Sequence, residues 1–121
     1  MAKHNELGKD AEMMAIAYLA KAGYKILETN WRFEKKEIDI IAEEKNQIVI
    51  VEVKCRSTDF FGKPEEAVTP SKQKFLTEAA NQYMQELDHE AEVRFDILSV
   101  LLNDKKAEIN HIEDAFRPIA E

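Results

Sequence analysis

Residues 37–56 read EIDIIAEEKNQIVIVEVKCR, two apolar runs joined by a polar turn. The second run alternates, so Ile48, Ile50, Glu52 and Lys54 point one way and Val49, Val51, Val53 and Cys55 the other. A turn centred between Lys45 and Asn46 in a symmetric, even-length hairpin sets Asp39 opposite Glu52 and Glu37 opposite Lys54. A slip of one residue would undo both pairings. Residues 49–53 are apolar on both faces apart from Glu52, the pattern of a strand covered on both sides. Two carboxylates facing each other in such a strand repel, and burying either without compensation costs about 3 kcal/mol or more. A divalent cation turns that cost into a binding site. Lys54, beside the ion without ligating it, can hold or deprotonate a water and meet charge developing on a phosphate. The bland alternative is a surface hairpin whose charges are merely solvated.

Asp39 followed thirteen residues later by Glu-Val-Lys, each within an apolar strand, resembles the active-site signature PD...(D/E)XK of the restriction-endonuclease-like superfamily, in its Holliday-junction-resolvase-like branch. With its flanks the chain is similar to the YraN-like family of small bacterial proteins. The resemblance rests on an N-terminal helix with Gly8 and Glu12, then GYKILETNWRF, EIDIIA, VIVEVKCRS, GKPEEAVTPSKQ and RFDILSV in order. It departs at two positions: Lys36 and Ala11 stand where that family usually has glycine, before Glu37 and Glu12 respectively. Neither change removes a carboxylate.

Composition sets the bounds. A chain of 121 residues with 45% hydrophobic content, three glycines and three prolines suits one folded domain spanning residues 1–121. It carries no apolar run long enough to span a membrane, and MAKHNELGKD lacks the apolar core of a signal peptide, so a cytoplasmic protein without a membrane partner is expected. The single cysteine, Cys55, falls on an aliphatic face and reads as a small buried hydrophobe. A net charge of −7 opposes tight, nonspecific nucleic-acid binding, but residues 84–121 contribute −6 of it and residues 1–83 only −1.

Along the chain, Leu7, Ala11, Met14, Ala15, Tyr18, Leu19 and Ala22 follow helical spacing, with Gly23 placed as a C-terminal cap. Glu12 borders the apolar stripe. It is either a solvated acid favoured by the helix dipole or a group reaching toward the hairpin carboxylates. Residues 24–33 read as a strand, with Leu27, Trp31 and Phe33 on one face and Tyr24, Ile26 and Glu28 on the other; Trp31 and Phe33 are most simply packing residues. Arg32, Lys35 and Lys36 form a basic turn leading into the hairpin. Phe60 and Phe61 lie in a glycine-containing loop and suit either a flap or a packing anchor. Thr69 and Pro70 read as N-cap and first residue of a second helix, its inner stripe comprising Phe75, Leu76, Ala79, Ala80, Tyr83, Met84 and Leu87. Residues 93–102 form an apolar strand in which Arg94 and Asp96 share a face and can pair, and a weak final strand is expected around residues 109–112. His4, His89 and His111 show no metal-ligand spacing with Cys55 or one another.

Helix, three strands, helix and further strands give an α/β layered domain, a mixed central sheet flanked by helices on both faces. The resemblance implies the restriction-endonuclease-like fold and a Mg²⁺- or Mn²⁺-dependent nuclease acting on nucleic acid, DNA in the first instance. It implies a metal bound by Asp39, Glu52 and the Val53 carbonyl, with Glu12 and Glu37 holding a second ion or outer waters, and Lys54 as the catalytic lysine. Arg32, Lys36, Arg56 and Lys72 are the expected phosphate contacts, and a homodimer is expected by the same analogy. Two other readings remain: a nucleic-acid-binding or protein-interaction module that keeps the fold without chemistry, and a metal-free structural protein in which Glu37 and Lys54 form a cross-strand ion pair.

Overall fold

The computed structural model describes residues 2–57 and 68–117, with side chains from Gly8 onward. Helix α1 (Ala2–Lys21) is followed by strands β1 (Lys25–Phe33), β2 (Lys36–Glu44) and β3 (Gln47–Arg56), helix α2 (Pro70–Glu86), and strands β4 (Glu92–Leu102) and β5 (Ala107–Phe116). The five strands form one sheet in chain order, with β3 and β4 parallel and all other neighbours antiparallel. The expected mixed sheet with a helix on each face is present.

Local chemistry explains most boundaries. Lys45 and Asn46 both have positive φ, 50° and 64°, which makes the β2–β3 connection a two-residue turn and locks Glu44 opposite Gln47. The helix α1 ends at Gly23, φ 97°, where Gly23 N–H donates to the Ala20 carbonyl at 3.1 Å and Tyr24 N–H to that of Leu19 at 2.9 Å. Thr69 caps α2, its hydroxyl accepting from Lys72 N–H at 3.2 Å, and Pro70 follows. Lys36 is not among the residues at positive φ, so no glycine is required there.

One face of the sheet packs Ile38, Ile41, Ile48, Ile50, Phe95 and Ile97 under Leu76, Ala79, Ala80 and Tyr83 of α2. The other packs Ile40, Ala42, Val49, Val51 and Leu98 under Ala15 and Leu19 of α1. Ile48, Val49, Ile50 and Val51 are at most 1% exposed, so β3 is covered on both faces, and each such side chain contributes about 1.5–3 kcal/mol by leaving water. Trp31 packs edge-on against Tyr83 at 5.3 Å, the expected packing role.

Four expectations change. The first helix starts at Ala2, upstream of Leu7. The final strand runs on to Phe116, beyond residue 112, because a bulge centred on Asp114, φ 53°, hides its alternation; Phe116 then stacks on Phe95 at 4.9 Å. Cys55 is half-buried and lines a cleft that it shares with Gly8 of α1, which has no side chain to cover it. Phe75 stands outside the buried clusters, because the start of α2 overhangs the polar end of β3. The Phe60-Phe61 loop lies outside the described residues.

Candidate functional site

The β2–β3 ladder follows the expected register, Ile41 opposite Ile50 and Ile40 opposite Val51, and closes no further toward Glu37. Ile38 and Ile41 pack toward α2, whereas Ile40 packs toward α1, so the alternation of β2 slips at Asp39. The Asp39 carboxylate replaces a backbone partner, Oδ2 accepting from Val53 N–H at 2.8 Å. Asp39 and Glu52 therefore meet at a parting of two strands rather than as ladder partners.

A cleft of about 400 Å³ opens there, lined by Gly8, Lys9, Ala11 and Glu12 of α1 and by Asp39, Val53 and Cys55 of the sheet. Asn30, at φ 50°, donates through Nδ2 to Glu12 Oε2 at 3.3 Å. The sequence signal for Asn30 was its tolerance of left-handed backbone, which the periodic reading passed over. Glu12 thus faces the hairpin carboxylates, the second of the two roles open to it. Burial, first, and then the charge of Glu52 push the Asp39 carboxyl up to about 7; Glu12 adds to the rise and the Val53 amide opposes it. The Cys55 thiol is also raised, by burial and then by Asp10.

On the α2 side, the Glu52 carboxylate is 7% exposed and has two ammonium partners, Lys54 at 3.4 Å and Lys72 at 3.6 Å. Lys72 reaches it from the first turn of α2, where the helix dipole disfavours a cation and Glu52 compensates. Lys36 lies 3.7 Å from both Glu34 and Glu78. Glu37 sits apart, 3.9 Å from the exposed Arg32. The Glu37–Lys54 ion pair of the metal-free reading is accordingly not formed, because the strands have separated before reaching it. Arg56 is half-buried at the end of β3.

The arrangement of a helix carboxylate, two strand carboxylates and strand and helix lysines can be compared with other proteins. The model of a family described as "Uncharacterised protein family UPF0102" matches residues 11–100. The chain belongs to the UPF0102 family. Members from Flavobacterium psychrophilum and Bacteroides thetaiotaomicron are 51% and 48% identical to it over 116 and 118 residues, covering 96% and 98% of this chain and 98% of each relative. One from Thermodesulfovibrio yellowstonii is 53% identical over 111 residues, 92% of this chain and 96% of its own. This is the YraN-like family whose motifs the chain carries. The UPF0102 match contains Glu12, Arg32, Lys36, Glu37, Asp39, Glu52, Val53, Lys54, Arg56 and Lys72, and stops before His111. No helix among the described residues is long and apolar enough to cross a membrane.

Proposed function

We propose that this UPF0102 chain hydrolyses phosphodiester bonds in nucleic acid with the help of Mg²⁺ or Mn²⁺. The observation that carries the reading is the placement of Asp39: a carboxylate drawn out of water against Glu52, answered by one amide, at the mouth of an open cleft. Such a group gains most from a cation. Among the described residues no three His, Cys, Asp or Glu side chains gather into an enclosing metal site. The donor set of Asp39, Glu52 and the Val53 carbonyl fits a hard cation that keeps much of its own water, as Mg²⁺ does with one or two carboxylates. A bound cation of this kind polarises a phosphate and acidifies a water.

The chain's own groups supply the rest. Lys54, held at Glu52, positions the attacking water and offsets charge gathering on the phosphate. Lys72 fixes the opposite side of the same carboxylate and offers an ammonium to a neighbouring phosphate. Glu12, steadied by Asn30, holds outer waters across the cleft. Glu37 is better suited to orienting Arg32 toward a strand than to holding a second ion.

The test incubates the protein with branched, single-stranded and linear DNA and RNA in Mn²⁺, Mg²⁺ or EDTA. Metal-dependent cleavage is expected, and Asp39→Asn and Lys54→Ala should each abolish it while leaving the melting transition cooperative. A second reading, a binding module without chemistry, draws on the two lysines that already balance Glu52. Nucleic-acid binding with no cleavage of any substrate, and melting indifferent to metal, would establish it instead.

A further inference from the structure

Beside the lysines of the site lie two phenylalanine rings that stand outside the buried clusters formed by the described residues. Phe33 ends β1 and Phe75 stands in the second turn of α2; both are half-buried, and neither joins the buried clusters or the side chains packed against them. Their neighbours are ammonium groups. Lys36 Nζ lies 5.9 Å from the Phe33 ring centre and 5.6 Å from that of Phe75, and Lys72 Nζ lies 4.8 Å from the Phe75 ring. Lys72 then touches Glu52, and Glu52 touches Lys54. Aromatic and cationic groups therefore alternate along a strip that ends at the carboxylates.

The balance of charge on this strip decides what it fits. Holding duplex nucleic acid by its backbone draws on lysines and arginines that neutralise its phosphates. Here Lys36, Lys54 and Lys72 each lean on a carboxylate, Glu34 and Glu78 for the first and Glu52 for the other two, and the chain as a whole carries −7. That balance favours a partner whose binding leans less on phosphate neutralisation than a duplex does. Unpaired nucleotides need less, because each base that stacks on an aromatic face adds binding that does not depend on phosphate neutralisation. Lysines fixed by ion pairs and ring contacts are also already ordered for the phosphates on either side of a stacked base.

Resting on the nuclease reading, we infer that the strip of Phe33, Lys36, Phe75 and Lys72 binds an unpaired nucleic-acid strand, stacking its bases on the phenylalanines and leading its phosphates to Glu52 and Asp39. The substrate class is then single-stranded nucleic acid or the unpaired arm of a branched one.

The test measures fluorescence anisotropy of labelled oligothymidylate, oligouridylate and a blunt duplex in EDTA, with the wild type, Phe75→Leu and Phe75→Tyr. Thermal melts of each variant check folding. Expected are a single strand bound at least about tenfold tighter than duplex, a loss of about tenfold in Phe75→Leu, and near-native binding in Phe75→Tyr. The oligothymidylate and oligouridylate arms show whether a DNA or an RNA strand is bound better, and tighter binding of either than of the duplex supports the inference. Duplex bound as tightly as single strands, unchanged binding in a folded Phe75→Leu, or no binding by the wild type overturns it. Adding Mg²⁺ or Mn²⁺ to the same mixtures separates the two readings. Stacking-dependent binding without cleavage defeats the nuclease reading alone, and cleavage of duplex untouched by Phe75→Leu defeats this inference alone.

Discussion

Two aspartates, Asp39 on β2 and Asp96 on β4, are both drawn from water by the sheet, and the protein treats them in opposite ways. Burial alone would raise the Asp96 carboxyl, but hydrogen bonds from His111, Arg94 and the Asp114 amide outweigh it and hold it below the usual carboxylate range. Arg94 forks onto it at 2.9 and 2.8 Å, His111 Nε2 lies 2.7 Å away, and Asp114 N–H donates at 3.0 Å. The surround is itself tied down: Arg94 donates to Tyr24 at 2.7 Å, and His111 Nδ1 lies 3.1 Å from the Tyr18 hydroxyl of α1. Asp39 has one amide and a second carboxylate for company. A saturated buried charge braces the fold, whereas a charge left short of partners faces a cleft and is available to a ligand.

The largest expected effect breaks the saturated side. Asp96→Asn leaves Arg94, whose side chain is 11% exposed, short of its main partner and should cost about 3–5 kcal/mol in urea unfolding at pH 7. Because the Asp96 carboxyl is depressed in the fold, its contribution is present above the unfolded value near 3.8 and lost as pH falls through the lower folded value; the deficit of the variant should therefore shrink in acid. A variant as stable as the wild type at pH 7 would remove the contrast.

The next effect has the opposite sign. With the Asp39 carboxyl raised from 3.8 to about 7, the folded state keeps its proton longer than the unfolded chain. Its contribution is full below about pH 4, lost as pH rises toward 7, and flat above. Metal-free Asp39→Asn should accordingly be more stable than the wild type at pH 8, by on the order of 4 kcal/mol, with the difference vanishing near pH 4. Mg²⁺ at about ten times its dissociation constant should add about 1.4 kcal/mol to the wild type and nothing to the variant. A destabilised Asp39→Asn at pH 8 would mean that the carboxylate is structural after all.

The smallest effect concerns the wall of the cleft. A Cβ added at Gly8 would meet nothing within 4 Å among the described residues, so no packing among them demands a glycine inside α1. Gly8→Ala should gain about 0.5–1 kcal/mol by thermal melting. If the open space serves a substrate strand, Gly8→Leu should keep a similar gain yet slow cleavage several-fold. Equal cleavage by both variants would show that the strand does not pass over α1.

Much of this was legible without coordinates. Residues 37–56 showed where the hairpin turns and which residues face which, and the pairing of Ile41 with Ile50 and Ile40 with Val51 follows that register. Thr69 with Pro70 and Gly23 marked helix ends, and Arg94 with Asp96 read as a pair. The approach of Glu12 to the hairpin was one of two roles that its place on the helix left open, and resemblance favoured it; Lys72 was expected at a phosphate, and its approach to Glu52 was not foreseen. The slip at Asp39, the bulge at Asp114, and the roles of Asn30 and His111 were not legible.

What the sequence determined by itself is the set of features closed within a few residues: turns that require positive φ, caps that satisfy the ends of a helix, and the two-residue alternation of β3. These depend on hydrogen bonds and steric limits that neighbouring residues already decide. Only the tertiary structure decided the fate of the charges. Whether an aspartate is held ionised or pushed toward neutrality depends on which distant groups the packing brings around it and how much water they displace. Asp96 received an arginine, a histidine and an amide from β4 and β5; Asp39 received a glutamate and a cleft.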